Sequence, residues 1–523
     1  MAVHQLNVTS FLNRARDFFG GRSIVSFGSR TGSYTYRDLH ERVRRAGGAL
    51  RDLGVEPGDR VATFAWNHHR HLEMYFAVPA VGATLHTINI RLGPADIGYI
   101  IDHAGDRAVF VDAELLPAIR PVLAERPALK VVVMTDDSPV QMPGAAAYED
   151  ALAGSEPLEG FAEVDEDTCA ALCYTSGTTG RPKGVPYSHR ALFLHTLAAG
   201  LVDGHAINST DTVLHVVPMF HANAWGVPLA ATMAGARQVL PGPHPDAERI
   251  AGLIESEGVT YTGMVPTLAA ELAGYLERTG RRPATLRAFV LGGSPPSRAL
   301  VHRLEDLFGP VIHQGWGMTE LAPMAAYGRV TGSDPGGGPL SQGRLLPGLE
   351  WKILDGDDRE LPWDGTSAGE LVVRGPWAAT GYYRDPAPES FWNGWLRTGD
   401  VASISPDGFV VLRDRKKDLI KSGGEWIASA ELEAALAEEP DVVEAAVIAA
   451  DHSKWQERPV ALIVTAAGRR VDASALRDRL RGRFPNWWLP DRIIQLPELP
   501  RTGVGKIDKQ ALRARFHDVL LEP

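Results

Sequence analysis

The chain of 523 residues contains only two cysteines, Cys169 and Cys173. That excludes a disulfide scaffold and suits a reducing compartment, so a cytoplasmic location is expected. Four residues apart and without histidines at suitable spacing, the two thiols do not complete a zinc site, and both read as core residues. No run approaches about 20 uninterrupted apolar residues, so no membrane-spanning helix is expected. The opening MAVHQLNVTSFLNRARDFFG lacks the apolar segment and small-residue cleavage site of a signal peptide, and the sequon Asn7-Val8-Thr9 reads as accidental. Basic charge is not in excess either: 53 Lys plus Arg face 64 Asp plus Glu, a net charge of −11. Without a basic stripe, nucleic acid is not expected as a partner.

What is present is apolar and glycine-rich. With 44% hydrophobic and 22% charged residues the chain buries a large core, which excludes general disorder. At about 150 residues per domain the length suggests three or four domain-sized units. Residues 36–54 repeat apolar positions at helical spacing and stop at Gly54. VATFAW, AVFVD (108–112), VVVMT (131–135) and VLHVVP (213–218) read as buried strands, with a helix through HLEMYFAVPAVGA. This alternation predicts an α/β fold with a largely parallel sheet. After about residue 335, WKILD, GELVVRG and FVVLRD predict a smaller β-rich subdomain. Past the charged RKKD, the pattern helix, strand, strand, helix predicts a small α+β domain. The expected division is 1–414 and 415–523, with the boundary at 414–418. The histidine-rich stretch 67–71 has no carboxylate cluster beside it and reads as the start of a helix rather than a metal site.

Residues 174–184 read Tyr-Thr-Ser-Gly-Thr-Thr-Gly-Arg-Pro-Lys-Gly. Three glycines free the backbone to turn N–H groups inward, the hydroxyls add donors, and Lys183 supplies a point charge, a combination suited to a polyphosphate. The loop is not a Walker A sequence, because Pro182 precedes the lysine and Gly184 follows it.

YTSGTTGRPKG resembles the phosphate loop of the adenylate-forming superfamily, which includes acyl-CoA synthetases, luciferases and peptide-synthetase adenylation domains. Further motifs of that superfamily follow in order: PMFHANAWG (218–226), QGWGMTE (314–320), RTGD (397–400), DRKKDLIKSGGEW (414–426) and PRTGVGK (500–506). NAWG, KSGGEW and HSKWQERP resemble most closely the fatty-acyl-CoA synthetase branch. The resemblance implies a large N-terminal domain of α/β subdomains with a β-rich subdomain, and a mobile C-terminal domain that carries an adenylation lysine. It implies ATP, Mg²⁺ and CoA, a small carboxylic acid as substrate, and a homodimer as in many of that branch. The acceptor of the activated acid is left open between CoA and a carrier-protein thiol, an amine or a small nucleophile.

The resemblance also implies roles for residues. Thr175, Ser176, Gly177, Thr178, Thr179, Gly180 and Lys183 cradle phosphates. Gly293, Ser294, Gln314, Gly315, Trp316, Gly317, Met318 and Thr319 surround the nucleotide. Trp316 stands where the family usually has Tyr, and the small residues beside it are expected to leave its ring free to stack on adenine. Glu320 and Thr178 hold Mg²⁺. Asp400 binds the ribose hydroxyls, Arg415 contacts the nucleotide and Lys417 is the hinge. Lys506 is the adenylation lysine, acting with His221, Glu320 and Lys183. His221, Asn223, Trp225, Gly226, Val265 and Gly292 border the acyl pocket, with Trp225 as its gate. Lys421, Gly423 and Gly424 line the CoA path, and Trp455 is either a CoA-adenine contact or a buried anchor.

Overall fold

The computed structural model describes residues 4–28, 31–135, 140, 142–175, 181–330, 340–423, 425–439, 441–465, 469–501 and 507–521. Among these residues the strands form three sheets. Seven strands make the first, in the spatial order Ala146–Ala147, Lys130–Met134, Asp106–Asp112, Arg60–Phe64, Thr84–Thr87, Cys169–Tyr174 and Gly184–Ser188. All neighbours are parallel except the last pair, which is antiparallel. The phosphate-loop sequence therefore joins two adjacent strands at one end of this sheet. The helix His69–Ala80 lies against this sheet, and the helix Tyr36–Asp52 packs on that helix. Tyr36–Asp52 starts on a reciprocal cap between Thr35 and Asp38 and buries Leu39, Val43, Ala46 and Leu50.

The second sheet has a parallel half that includes Arg237–Leu240, Thr212–Leu214, Tyr261–Met264, Ala288–Leu291 and Ile312–Gly317. Its antiparallel half runs on from there through Met324–Arg329, Gly343–Leu345, Phe409–Arg415, Trp395–Ile404, Ala368–Arg374 and Glu350–Leu354. The region expected as a smaller β-rich subdomain is thus hydrogen-bonded into the same sheet. The joint is the antiparallel pairing of Ile312–Gly317 with Met324–Arg329, in register from His313↔Arg329 to Gly317↔Met324.

The strand expected over 213–218 is shorter, Thr212–Leu214. Asn67 explains the difference. Its amide donates to the carbonyls of His215 and Val217 and accepts from the N–H of Met219, and so replaces the ladder bonds that segment gives up. Residues 67–71 do open a helix, His69–Ala80, with the His68 ring accepting from the His71 N–H. No cluster of three metal-ligating side chains occurs among the described residues.

The third sheet contains Glu425–Ile427, Ile420–Ser422, Gln456–Thr465, Val442–His452 and Arg492–Gln495. It has its own core, which includes Ile420, Leu432, Leu436, Val447, Ala461 and Leu476. The second sheet's last rung, Asp400↔Arg415, and the first residue of this core are separated by a short charged turn. No helix among the described residues is long and apolar enough to cross a membrane.

Candidate active site

Trp316 lies on the strand Ile312–Gly317 and is only 6% exposed. Its indole N–H donates to Asp400 Oδ2 at 2.9 Å. Asp400, buried on the strand Trp395–Ile404, meets Arg415 Nε with its other oxygen at 2.6 Å. Each carboxylate oxygen keeps a second lone pair for a hydroxyl donor. The Trp316 ring is buried and is held at its edge by its bond to Asp400. Gly317 is small for a steric reason. A Cβ there would fall on the carbonyl oxygen of Pro323, so the strand pair closes only around glycine. Gln314, on the same face of the strand as Trp316, is 2% exposed, and its amide oxygen has no hydrogen-bond partner among the described residues.

Glu320 sits in the short helix Thr319–Leu321, 7% exposed, and accepts from the Tyr382 hydroxyl at 2.8 Å. Burial pushes its carboxyl above the ordinary carboxylate value, and the Tyr382 bond only partly offsets that. Lys183 Nζ lies over the other end of the Tyr382 system, 4.8 Å from the ring centroid, with Glu389 at 3.4 Å and Asp385 at 3.7 Å. Tyr382 thus joins Lys183 to Glu320, a link that the sequence reading missed, since GYYRD looks like an ordinary turn. At the base of the phosphate loop the Thr175 N–H bonds the Lys183 carbonyl at 2.9 Å. Ser176, Gly177, Thr178, Thr179 and Gly180, as well as Gly424 and Lys506, lie outside the described residues. Met318 is partly buried against the core, Thr319 is buried, Gly315 lies within the strand Ile312–Gly317, and Ser294 lies in the bend that follows the strand Ala288–Leu291.

Residues 222–225 form a left-handed turn, with φ of 43° at Ala222, 48° at Asn223, 49° at Ala224 and 58° at Trp225. Non-glycine residues adopt this conformation at about 1–2 kcal/mol each, so surrounding contacts must impose it. Those contacts are visible. The Cys173 thiol donates to Asn223 Oδ1 at 3.4 Å, giving that core cysteine a second task. His205 bonds the Trp225 carbonyl through Nε2 at 3.4 Å and accepts at Nδ1 from the Tyr261 hydroxyl. Burial holds His205 neutral, down to about 4, which matches that tautomer. The turn aims the indole at Gly292, where a Cβ would come within 2.7 Å of it. His221 precedes this turn, and Gly226 closes it beside the His195 ring. Val265 Cγ1 abuts Gly293. Beneath the indole, Leu214, His215, Tyr261 and Gly263 leave a cavity of about 10 Å³, which is room for about one water. Trp225, Ala224 and Val227 also line that cavity.

On the third sheet, Gly423 has φ +61° and a Cβ on it would lie 2.9 Å from the Trp455 ring. Trp455 is 42% exposed, which rules out the buried-anchor alternative. Lys421 lies over Trp426, which is also exposed and was not singled out from sequence. Lys417 occupies the turn between Arg415 and Ile420.

Comparison with known proteins agrees with this arrangement. A family model described as AMP-binding enzyme matches residues 12–383, and its C-terminal domain counterpart matches 431–506. A long-chain-fatty-acid–CoA ligase of Thermus thermophilus is 44% identical over 99% of this chain and 96% of its own length. A medium-chain-fatty-acid–CoA ligase of Ectopseudomonas oleovorans is 39% identical over 100% of this chain and 98% of its own. Among solved structures, an anthranilate CoA ligase in complex with anthranoyl-AMP superposes with a TM-score of 0.88 at 26% identity, covering 97% of both chains. ATP-bound MatB from Rhodopseudomonas palustris gives 0.85 at 26% identity, covering 98% of this chain and 100% of its own. The apo form of MatB gives 0.77 at 26% identity, covering 99% and 100%. The chain belongs to the AMP-binding enzyme family, the adenylate-forming enzymes.

Two expected results follow from the local geometry. Tyr382→Phe removes a donor that lowers the Glu320 carboxyl value, so that value rises further. The acidic limb of a pH–rate profile for pyrophosphate release then moves to higher pH, with a loss of about five- to tenfold near neutrality; an unmoved limb would show that Glu320 does not titrate in this step. Gly423→Ala adds a Cβ at positive φ against Trp455, and is expected to slow CoA-dependent product formation while sparing pyrophosphate release, read by assaying the two steps separately.

Proposed function

We propose that the chain is an ATP-dependent carboxylic acid–CoA ligase acting on a fatty or aryl acid. The substrate carboxylate attacks the α-phosphorus of ATP, an oxygen–phosphorus bond forms, and pyrophosphate leaves. The CoA thiol then attacks the acyl carbonyl of the acyl adenylate, losing its proton, and AMP leaves. The observation that carries this reading is the convergence of Trp316, Asp400, Arg415, Glu320, Tyr382 and Lys183, brought from distant parts of the chain to one place.

In this reading Asp400 accepts the ribose hydroxyls, and Arg415 both orients that carboxylate and faces the phosphates. The unpaired Gln314 amide oxygen suits the exocyclic amine of adenine beside Trp316. Glu320 fits Mg²⁺: it is a hard oxygen donor whose raised carboxyl value marks a buried acid short of positive charge. Thr178 is proposed as its companion. Held by these two residues, the ion would supply positive charge to the phosphates as a Lewis acid. Lys183 attracts the outer phosphates, and Tyr382 keeps Lys183 and Glu320 in fixed relation. Trp225 closes the acyl pocket, and the acid enters by displacing the indole. The apolar lining of Leu214, Val216 and Val227, with no charged side chain, favours an apolar acid over an amino acid. Lys506 and Gly424 keep the roles that the resemblance implies, at the adenylation step and on the CoA path, and the small domain turns about Lys417.

The test is a panel of fatty and aryl acids assayed for ATP-dependent pyrophosphate release, then for AMP release with and without CoA. Acid-dependent pyrophosphate release with CoA-dependent AMP release is the expected result. AMP release indifferent to CoA would overturn the acceptor, and ADP in place of AMP would overturn the adenylation step.

A further inference from the structure

A buried ionic network crosses the turn around Lys417, and none of the proposed chemical steps uses it. Asp414, next to last on the strand Phe409–Arg415, accepts from the Ser429 N–H and, at 2.7 Å, from the Ser429 hydroxyl. Ser429 is fully buried at the start of the helix Ser429–Leu436. Its oxygen accepts in turn from Lys509 Nζ at 2.8 Å, and the same ammonium lies 2.7 Å from Glu433 Oε1. Four residues on from Lys509, Arg513 holds Asp418 at 2.7 Å. Burial raises the carboxyls of Asp414 and Glu433, and their charge outweighs the burial that would otherwise lower the Lys509 ammonium.

Lys509 also stands at the stem of the segment that contains Lys506. Arg501 and Ile507 form an isolated bridge, and the Asp508 N–H bonds the Pro500 carbonyl at 2.8 Å, which closes the base of residues 502–506. One buried cation therefore ties this stem, through Ser429, to an acid on the far side of the proposed hinge.

We propose that Lys509 is a positioning residue that latches the small domain in the orientation used for adenylation. The proposal rests on the ligase reading above. Asp414 belongs to the large domain's sheet while Ser429, Glu433 and Lys509 belong to the small one, so rotation about Lys417 breaks the Lys509–Ser429–Asp414 chain. A contact present in one orientation alone biases the equilibrium toward it. The chain superposes better on the ATP-bound form of MatB than on its apo form, in keeping with an adenylation-type arrangement.

The test uses the full chain with Ser429→Ala and Asp414→Asn, neither of which leaves a new buried charge on the Asp414 side, and Lys509→Arg as the conservative control. Circular dichroism confirms folding. Pyrophosphate release is expected to fall about tenfold in the first two, the equivalent of one charge-assisted hydrogen bond. Thioester formation from supplied acyl adenylate and CoA is expected to hold or rise, and Lys509→Arg to retain adenylation. Trypsin cleavage after Lys416 and Lys417 is expected to quicken in the first two variants. Equal loss of both half-reactions, or no change in adenylation and cleavage, overturns the latch. If the unaltered chain itself forms no thioester from acyl adenylate, the ligase reading fails instead, and the cleavage rates alone decide the latch.

Discussion

Lys506→Ala is expected to lower pyrophosphate release by about 10²–10³-fold while largely sparing thioester formation from supplied acyl adenylate. The reason is electrostatic. The incoming carboxylate and the α-phosphate are both anionic, and a preorganised ammonium between them offsets a repulsion that rises as the two approach. In the second half-reaction the acyl adenylate already exists and the thiol attacks a neutral carbonyl carbon, so that charge is no longer needed. The resemblance of PRTGVGK assigns the role. On either side of that motif's last residues, Arg501 and Ile507 form an isolated bridge. Single-turnover assays of each half-reaction check the prediction. Equal loss in both would mean that Lys506 supports the fold or a shared binding step rather than the attack on phosphorus.

Asp400→Ala is expected to lower kcat/KM for ATP by about 10²-fold or more, chiefly through KM, with a matching loss of AMP affinity by calorimetry. Two hydroxyl bonds to a buried carboxylate disappear, and the Trp316 N–H and the Arg415 guanidinium lose their acceptor together. Because Arg415 acts against the same carboxylate, Arg415→Ala added to Asp400→Ala is expected to cost little more than Asp400→Ala alone. Fully additive losses would show that the two residues meet the nucleotide independently. The Arg415 side chain is 43% exposed, so the pair contributes modestly to stability and the main effect falls on binding.

These two cases differ in how they became visible. The role proposed for Lys506 comes from the likeness of the short motif PRTGVGK to the superfamily's, which is a pattern local to the chain. Asp400 is legible only as a turn residue with a family likeness; its contacts to Trp316 and Arg415 span 84 and 15 residues and depend on strand order. Tyr382 was not legible at all. It lies in a Gly-Tyr-Tyr-Arg-Asp turn whose composition says nothing about Lys183, 199 positions earlier. At Trp316 likewise the sequence shows small neighbours, but only the sheet shows that Gly317 is small for Pro323 and that Asp400 meets the indole edge.

By itself the sequence determined the alternation of buried strands and amphipathic helices, the β-rich second half and the ordered set of motifs. Each of these is set by spacing along the chain and by local backbone preference. The tertiary structure alone decided that the β-rich half extends the parallel sheet, that a left-handed turn sets the Trp225 indole against Gly292, and that Lys509 reaches Asp414 through Ser429. Those facts depend on which distant segments become neighbours, and neighbourhood in space follows from burying all the apolar faces at once rather than from any one stretch of residues.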